Sequence, residues 1–349
     1  MVEFSLRDVA HLFLITIFCN ITVYLTAVAQ NNEGEESRYY YVGAIGDNLP
    51  VQMELIFDSG DVTGSYIYDK VGIPIPLTGE MDKETSTLFL TEQNDKGVKT
   101  GMFKGVVKNE GKSYGKYIEG EWSKANGLSA LPFKLTKVAD FVSTSVNAKS
   151  KYEASYMYPS FITDTKANRD ITEVLAKEAG SEKKKFTGEA EEFFSARESA
   201  GEWQEDFNYS IEYCSPELVS LSGEVFSYTG GAHGNTLYIS SNYWIEDGKA
   251  LLLSLSDLFV SKSNYIKVLS DYCIRDLGKQ QAGWVLNGQL KELKAEDLSA
   301  FAISPRGITF AFAPYAAGPY VEGSYFVTVG YAELKRIINP GGPLKQFLK

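Results

Sequence analysis

The sequence predicts a mainly β and α+β protein. An N-terminal up-and-down antiparallel β-meander or small barrel is followed by a C-terminal antiparallel sheet with packed helices. Three observations predict it. The chain is rich in aromatics, with 22 Tyr and 20 Phe among 349 residues, and aromatics bury large areas and suit strands. Between residues 39 and 138, short alternating runs recur at even spacing with turn residues between them. Beyond residue 150, runs of that kind are interrupted by segments of helical spacing.

The elements follow in order. Residues 9–29 carry no Asp, Glu, Lys or Arg, follow Arg7, and end on Ala27-Val28-Ala29. This small-x-small ending predicts a cleaved secretory signal over residues 1–29; an uncleaved membrane anchor is the alternative. Only a handful of residues precede Val9. Residues 31–37 are polar and acidic and read as a lead-in.

Eight strands are expected at 39–44, 51–58, 62–69, 73–79, 87–92, 100–107, 115–122 and 132–138. The turn signals between them include Asp58-Ser59-Gly60-Asp61, Asn94-Asp95-Lys96-Gly97 and Asn109-Glu110-Gly111-Lys112. Gly and Asn tolerate the positive φ that tight turns require. Val51, Met53, Leu55 and Phe57 alternate and so share one face. Eight strands suffice to close a barrel, either filled by side chains or holding one small ligand.

The Ser- and Thr-rich stretch 137–149 reads as a connection, with a second domain over 150–349. There, 152–158 alternates. Ile171, Val174, Leu175 and Ala179 predict a helix over 168–179 stopped by Gly180, then a charged loop at 181–185 and a second helix over 189–197. Strands are expected at 207–213, 219–228, 236–244, 301–304, 308–312 and 324–329, with helices over 265–277 and 331–338.

Composition narrows the partners. The formal net charge is −11 and no basic block occurs. Nucleic acid and anionic membrane, beyond the signal segment, are therefore not expected partners; a cationic partner would fit. Cys214 and Cys273 have no metal-ligand spacing and read as buried thiols or a single disulfide, since export permits one.

No catalytic residue, metal site or cofactor is predicted. Gly111-Lys112-Ser113-Tyr114-Gly115 has the form of a nucleophile elbow, but that motif needs a strand-to-helix turn and here it joins two strands. Glu189, Glu191 and Glu192 read as a solvated helix face. The chain has two histidines, His11 in the signal segment and His233. A single His cannot build a zinc centre.

The segment with the most local information is Tyr228-Thr229-Gly230-Gly231-Ala232-His233-Gly234-Asn235-Thr236, between two strands. Gly230, Gly231 and Gly234 permit unusual backbone angles, so His233 either holds the turn, contacts a partner, or acts as a base. Tyr228, Gly230, Gly231, His233, Asn235 and, further on, Tyr315 are the candidate ligand-binding residues.

The order of this loop, Asp247-Gly248-Lys249, the Leu-rich 251–259, Ile308-Thr309-Phe310-Ala311-Phe312-Ala313-Pro314-Tyr315 and Val329-Gly330-Tyr331-Ala332-Glu333-Leu334-Lys335 resembles a bacterial extracytoplasmic family. The family is shared by lysozyme-sensing anti-sigma factors and the non-catalytic region of a secreted peptidoglycan deacetylase. The resemblance spans 143–349. It implies a secreted or periplasmic, non-enzymatic binding module, with a lysozyme-like cationic protein or a peptidoglycan-type glycan as ligand. It does not carry over the sigma-binding segment, the central membrane span or the catalytic metal ligands of those relatives. The alternative is an unrecognised cell-envelope hydrolase or deacetylase-associated protein using the His233 loop.

Overall fold

The computed structural model describes residues 36–110, 113–162, 165–196 and 201–348. The proposed signal over 1–29 and residues 111 and 112 of the elbow-like motif lie outside these. The first eight strands are β1 (Ser37–Ile45), β2 (Leu49–Asp58), β3 (Asp61–Tyr68), β4 (Ile75–Asp82), β5 (Thr87–Gln93), β6 (Lys99–Glu110), β7 (Ser113–Lys124) and β8 (Leu131–Asn147). Each pairs antiparallel with the next, and β1 also pairs with β8, which closes a barrel. Every strand expected in this region is present, because turn chemistry and two-residue alternation agree along it.

The barrel is filled. Val51, Met53 and Leu55 on β2 point inward and are buried, as the alternation required. Tyr66, Phe103 and Phe133 meet edge to face across the interior at 5.3 and 5.2 Å, an arrangement that the ring quadrupoles favour.

The stretch expected to be a connection, 137–149, is instead the second half of β8 as far as Asn147. Its Ser143, Thr144 and Ser145 are exposed, so no apolar alternation marks it. One edge of β8 is shared in series. Residues 131–136 pair with β7, and residues 139–147 pair with β9 (Tyr152–Phe161). On the opposite edge, the β1 register shifts between Tyr40 and Tyr41, at the point where β8 changes partner.

After β9 comes α1 (Lys166–Ser195), one helix of 30 residues. The expected stop at Gly180, the loop at 181–185 and the separate second helix are therefore corrected. The buried residues Ala167, Ile171, Leu175, Ala179, Phe186, Ala190 and Phe194 form one unbroken stripe through the charged segment. Gly180 and Gly188 lie on the exposed side, where an added Cβ would meet nothing. The helix starts where the Thr165 hydroxyl accepts the Asn168 amide.

The helix returns the chain to β10 (Trp203–Cys214), which pairs parallel with β9. This is the one parallel pair among the described strands of that sheet; a crossover helix is the usual way to make one. β11 (Leu218–Tyr228), β12 (Asn235–Glu246) and β13 (Lys249–Leu252) complete it by antiparallel pairing. α2 (Tyr265–Lys279) and α3 (Gly283–Leu286) precede a second antiparallel sheet, β14 (Phe301–Ser304), β15 (Gly307–Phe312) and β16 (Tyr325–Val329), and α4 (Tyr331–Leu334) follows it. Side chains of Ser220, Ser240 and Asn242 join the sheets, and the Phe301 amide donates to Ser240 Oγ at 3.2 Å. The Asn242 amide donates to the Phe301 carbonyl at 2.8 Å, and the Ile303 amide donates to Ser220 Oγ at 2.7 Å. These satisfy backbone groups of β14 that would otherwise be buried without partners.

Cys214 and Cys273 are free thiols, and burial pushes both up to about 12. Beneath α1, Glu205 on β10 is 4% exposed and accepts the Tyr156 hydroxyl at 2.9 Å. Burial drives its carboxyl up to about 7; the Tyr156 bond and Lys185 oppose this, while Glu182 and Glu189 on α1 add to it. A carboxyl raised on folding stabilises below its unfolded value near 4.5, and that contribution is lost as pH rises through about 7. Glu205→Gln keeps the acceptor for Tyr156 but cannot ionise. Its stability should match the parent at pH 4.5 and exceed it by about 2 kcal/mol at pH 8, as read by urea unfolding at both pH values.

Candidate functional site

The loop between β11 and β12 is built on glycines. Gly230 and Gly231 have φ of +94° and +107°, as the sequence suggested. Gly234 does not need positive φ; its constraint is space. It is buried, and a Cβ there would lie 2.3 Å from the Phe226 ring. The Tyr228 hydroxyl donates to the Gly231 carbonyl at 3.2 Å and ties the loop to its strand.

His233 is exposed, and both ring nitrogens have neighbours. Nδ1 lies 2.8 Å from the Gly234 carbonyl oxygen, and Nε2 lies 3.3 Å from the Tyr315 hydroxyl. The carbonyl can only accept, so Nδ1 carries the proton and Nε2 accepts from Tyr315. The imidazole also stacks on Tyr320, centroids 3.7 Å apart and planes within 17°. Tyr315 in turn lies 5.7 Å from Tyr320 and 6.5 Å from Trp284, the latter pair stacked at 27°. Tyr315 is half exposed with φ of +70°. A bulky side chain in that region is strained and persists only when its surroundings hold it.

Four rings from three segments thus form an open shelf: His233 from the glycine loop, Trp284 from α3, and Tyr315 and Tyr320 from the loop between β15 and β16. A carboxylate borders it. Glu322 accepts the Tyr325 hydroxyl at 2.7 Å and the Gly283 amide at 2.9 Å. These bonds hold its carboxyl below the usual range, and burial pushes the Tyr325 hydroxyl up to about 12. Val321 beside it is 90% exposed and Leu286 58%.

Of the residues expected from sequence, His233 and Tyr315 come together, and Gly230, Gly231 and Tyr228 shape the loop. Asn235 is exposed at the start of β12, paired through its backbone with Ser227, and makes no side-chain hydrogen bond among the described residues. Trp284, Tyr320 and Glu322 were missed. The signal was present: Tyr315 and Tyr320 flank Ala-Ala-Gly-Pro, and aromatics set among such residues, without strand periodicity, are poor candidates for core. Among the described residues, no group of His, Cys, Asp and Glu side chains could hold a metal ion.

The two halves of the shelf fall in separately matched segments. Residues 256–332 match a family described as a protein of unknown function, DUF3298. Residues 145–236 match one described as deacetylase PdaC. His233 comes from the second segment; Trp284, Tyr315, Tyr320 and Glu322 come from the first. The peptidoglycan-N-acetylmuramic acid deacetylase PdaC of Bacillus subtilis (strain 168) is 25% identical over 201 residues, which are 57% of this chain and 41% of that enzyme. The chain therefore spans about two fifths of the length of this relative.

Two solved structures are also similar. A DUF3298 family member from Bacteroides fragilis NCTC 9343 has a TM-score of 0.46 at 17% identity, covering 60% of this chain and 97% of that one. A DUF3298 family protein from Pseudomonas aeruginosa PAO1 has a TM-score of 0.45 at 16% identity, covering 58% and 94%. The family resemblance read from the motifs is matched, and the sequence matches support a cell-envelope-related module. Among the described residues, no helix is long and apolar enough to cross a membrane.

Proposed function

We propose that this is an extracytoplasmic binding protein whose C-terminal half takes a peptidoglycan-type glycan on the shelf of His233, Trp284, Tyr315 and Tyr320. The observation that carries this is the open set of stacked rings. Sugar rings present apolar C–H faces, which pack on aromatic faces while their hydroxyls reach polar groups at the edge. Glu322 supplies such an edge. The name of the Bacillus relative, an enzyme acting on peptidoglycan, supports the ligand class.

The hydrolase reading draws no comparable support. The hydrogen bonds of His233 run to a carbonyl and a tyrosine hydroxyl, and a triad needs a nucleophile and an orienting acid beside the base.

A cationic, lysozyme-like protein is the second reading. The net charge of −11 and the ionised Glu322 among aromatic faces favour it, through ion pairing and cation–π contact.

The test is titration of the full chain with soluble peptidoglycan fragments, with a parallel capture by lysozyme. Tyr320→Ala should weaken fragment binding about tenfold, at a cost of about 1 kcal/mol of stability from the lost stacking on His233. His233→Ala should cost about 1 kcal/mol of stability through the lost turn bond. It should also weaken fragment binding by releasing Tyr320. Capture by lysozyme with no fragment binding would replace the first reading with the second.

A further inference from the structure

The strand directions place loops 46–48, 69–74, 94–98 and 125–130 at one end of the barrel. In the last interior layer at this end stands Glu92, only 6% exposed; the interior's other buried charge among the described residues, Lys137 further along β8, is paired with Asp140. The Tyr66 hydroxyl donates to Glu92 Oε2 at 2.5 Å and the Trp122 indole N–H donates to the same oxygen at 3.1 Å. Tyr68 Oη lies 3.3 Å from Tyr66 Oη.

Both donors use one carboxylate oxygen. No hydrogen bond reaches Oε1 from the described residues, and this oxygen is not among the atoms sealed from solvent. Gly101, opposite Glu92 in the register, leaves the room: a Cβ there would stand 2.6 Å from the carboxylate carbon, 2.7 Å from Oε1 and 2.9 Å from the Trp122 nitrogen. A carboxylate nine-tenths buried, with one oxygen that no donor reaches, is costly unless a partner completes it.

Exposed apolar side chains stand on the rim among polar and charged ones such as Asp47, Lys70 and Lys96. Leu49, Val71, Ile73, Val98 and Leu128 lie in or beside these four loops and are 40%, 51%, 52%, 56% and 64% exposed. Single exposed apolar residues need no explanation, but these five share one end of the barrel.

We propose that this end of the barrel is a second binding site, distinct from the aromatic shelf, that takes an alkylammonium group. The ammonium would donate to Glu92 Oε1 beside the Tyr68 and Trp122 rings, and its alkyl stem would lie against the rim. A charged donor is the group that an unused carboxylate oxygen flanked by aromatic rings binds best. A lysine side chain and a free aliphatic amine carry the same chemistry.

Trp122 gives the readout. The chain has four tryptophans, so an amide–proton NMR spectrum of the intact protein shows at most four indole signals. n-Butylammonium should shift the Trp122 signal saturably, and 1-butanol at equal concentration should not. Glu92→Gln, which keeps an acceptor for both donors, should weaken the amine about tenfold or more. A short acetylated Leu-Lys-Leu amide separates the sources: tighter binding than butylammonium assigns a polypeptide lysine, weaker binding a free amine. Absence of any amine response, an equal response to butanol, or unchanged affinity in Glu92→Gln would each overturn the site. The comparison of amine with alcohol needs no variant, so it stands even if Glu92→Gln fails to fold.

Discussion

Phe103→Ala lowers the unfolding free energy by about 3–5 kcal/mol, the range for deleting a buried phenyl ring. The ring is 1% exposed and sits between Tyr66 and Phe133 with edge-to-face contacts on both sides. Its loss removes transfer free energy and both aromatic contacts, and it leaves a cavity. The barrel wall limits relaxation, because β6 is hydrogen-bonded to β5 and β7 along its length. Urea unfolding checks this as a fall in midpoint at unchanged slope. A loss below about 1 kcal/mol would mean that the interior is loosely packed and that the barrel is not filled as described.

Ser181→Pro is expected to cost about 3 kcal/mol or more. Ser181 is an exposed residue in the interior of α1. Proline removes its amide from the helical ladder, and the ring clashes with the carbonyl of Lys177 one turn earlier. Gly180→Ala is the contrasting neighbour. It fills open space on the same exposed side, so it should raise stability by about 0.5–1 kcal/mol. Two helices separated by a loop at 181–185 would reverse the pair: proline would be tolerated and alanine at the stop would not help. Circular dichroism at 222 nm with thermal melts of both variants separates the cases.

That segment also shows where sequence reading failed. Gly180 followed by Ser181, Glu182 and three lysines has the composition of a helix stop, and this local signal masks the stripe that continues from Ala179 to Phe186 and Ala190. Seven residues separate Ala179 from Phe186, two full turns, so the face is kept although nothing apolar marks the turn between. The second half of β8 was hidden for a related reason. Ser143, Thr144 and Ser145 are exposed, and a strand with little burial carries little alternation. The eight meander strands were legible because each has a buried face and a turn signal beside it. At the aromatic shelf, the glycine loop and Tyr315 were legible as local motifs. Their meeting with Trp284 and Tyr320 was not, because it depends on how two sheets pack, and no local pattern encodes that.

The shared edge of β8 has a consequence for how the chain tolerates length changes. One uninterrupted strand serves first as a barrel stave beside β7 and then as the partner of β9. Side chains on a strand alternate with period two, so a single residue gained or lost within β8 before the crossover would exchange inside for outside along the rest of that strand. Such an error could not stay in the barrel; it would reach the sheet under α1 as a reading-frame shift reaches the end of a message. The register shift opposite Tyr40 and Tyr41 is the place where one extra residue is already absorbed. Insertions elsewhere in β8 should be rejected in pairs of outcomes, odd lengths far more severely than even ones, whereas the exposed turn at 125–130 should accept either.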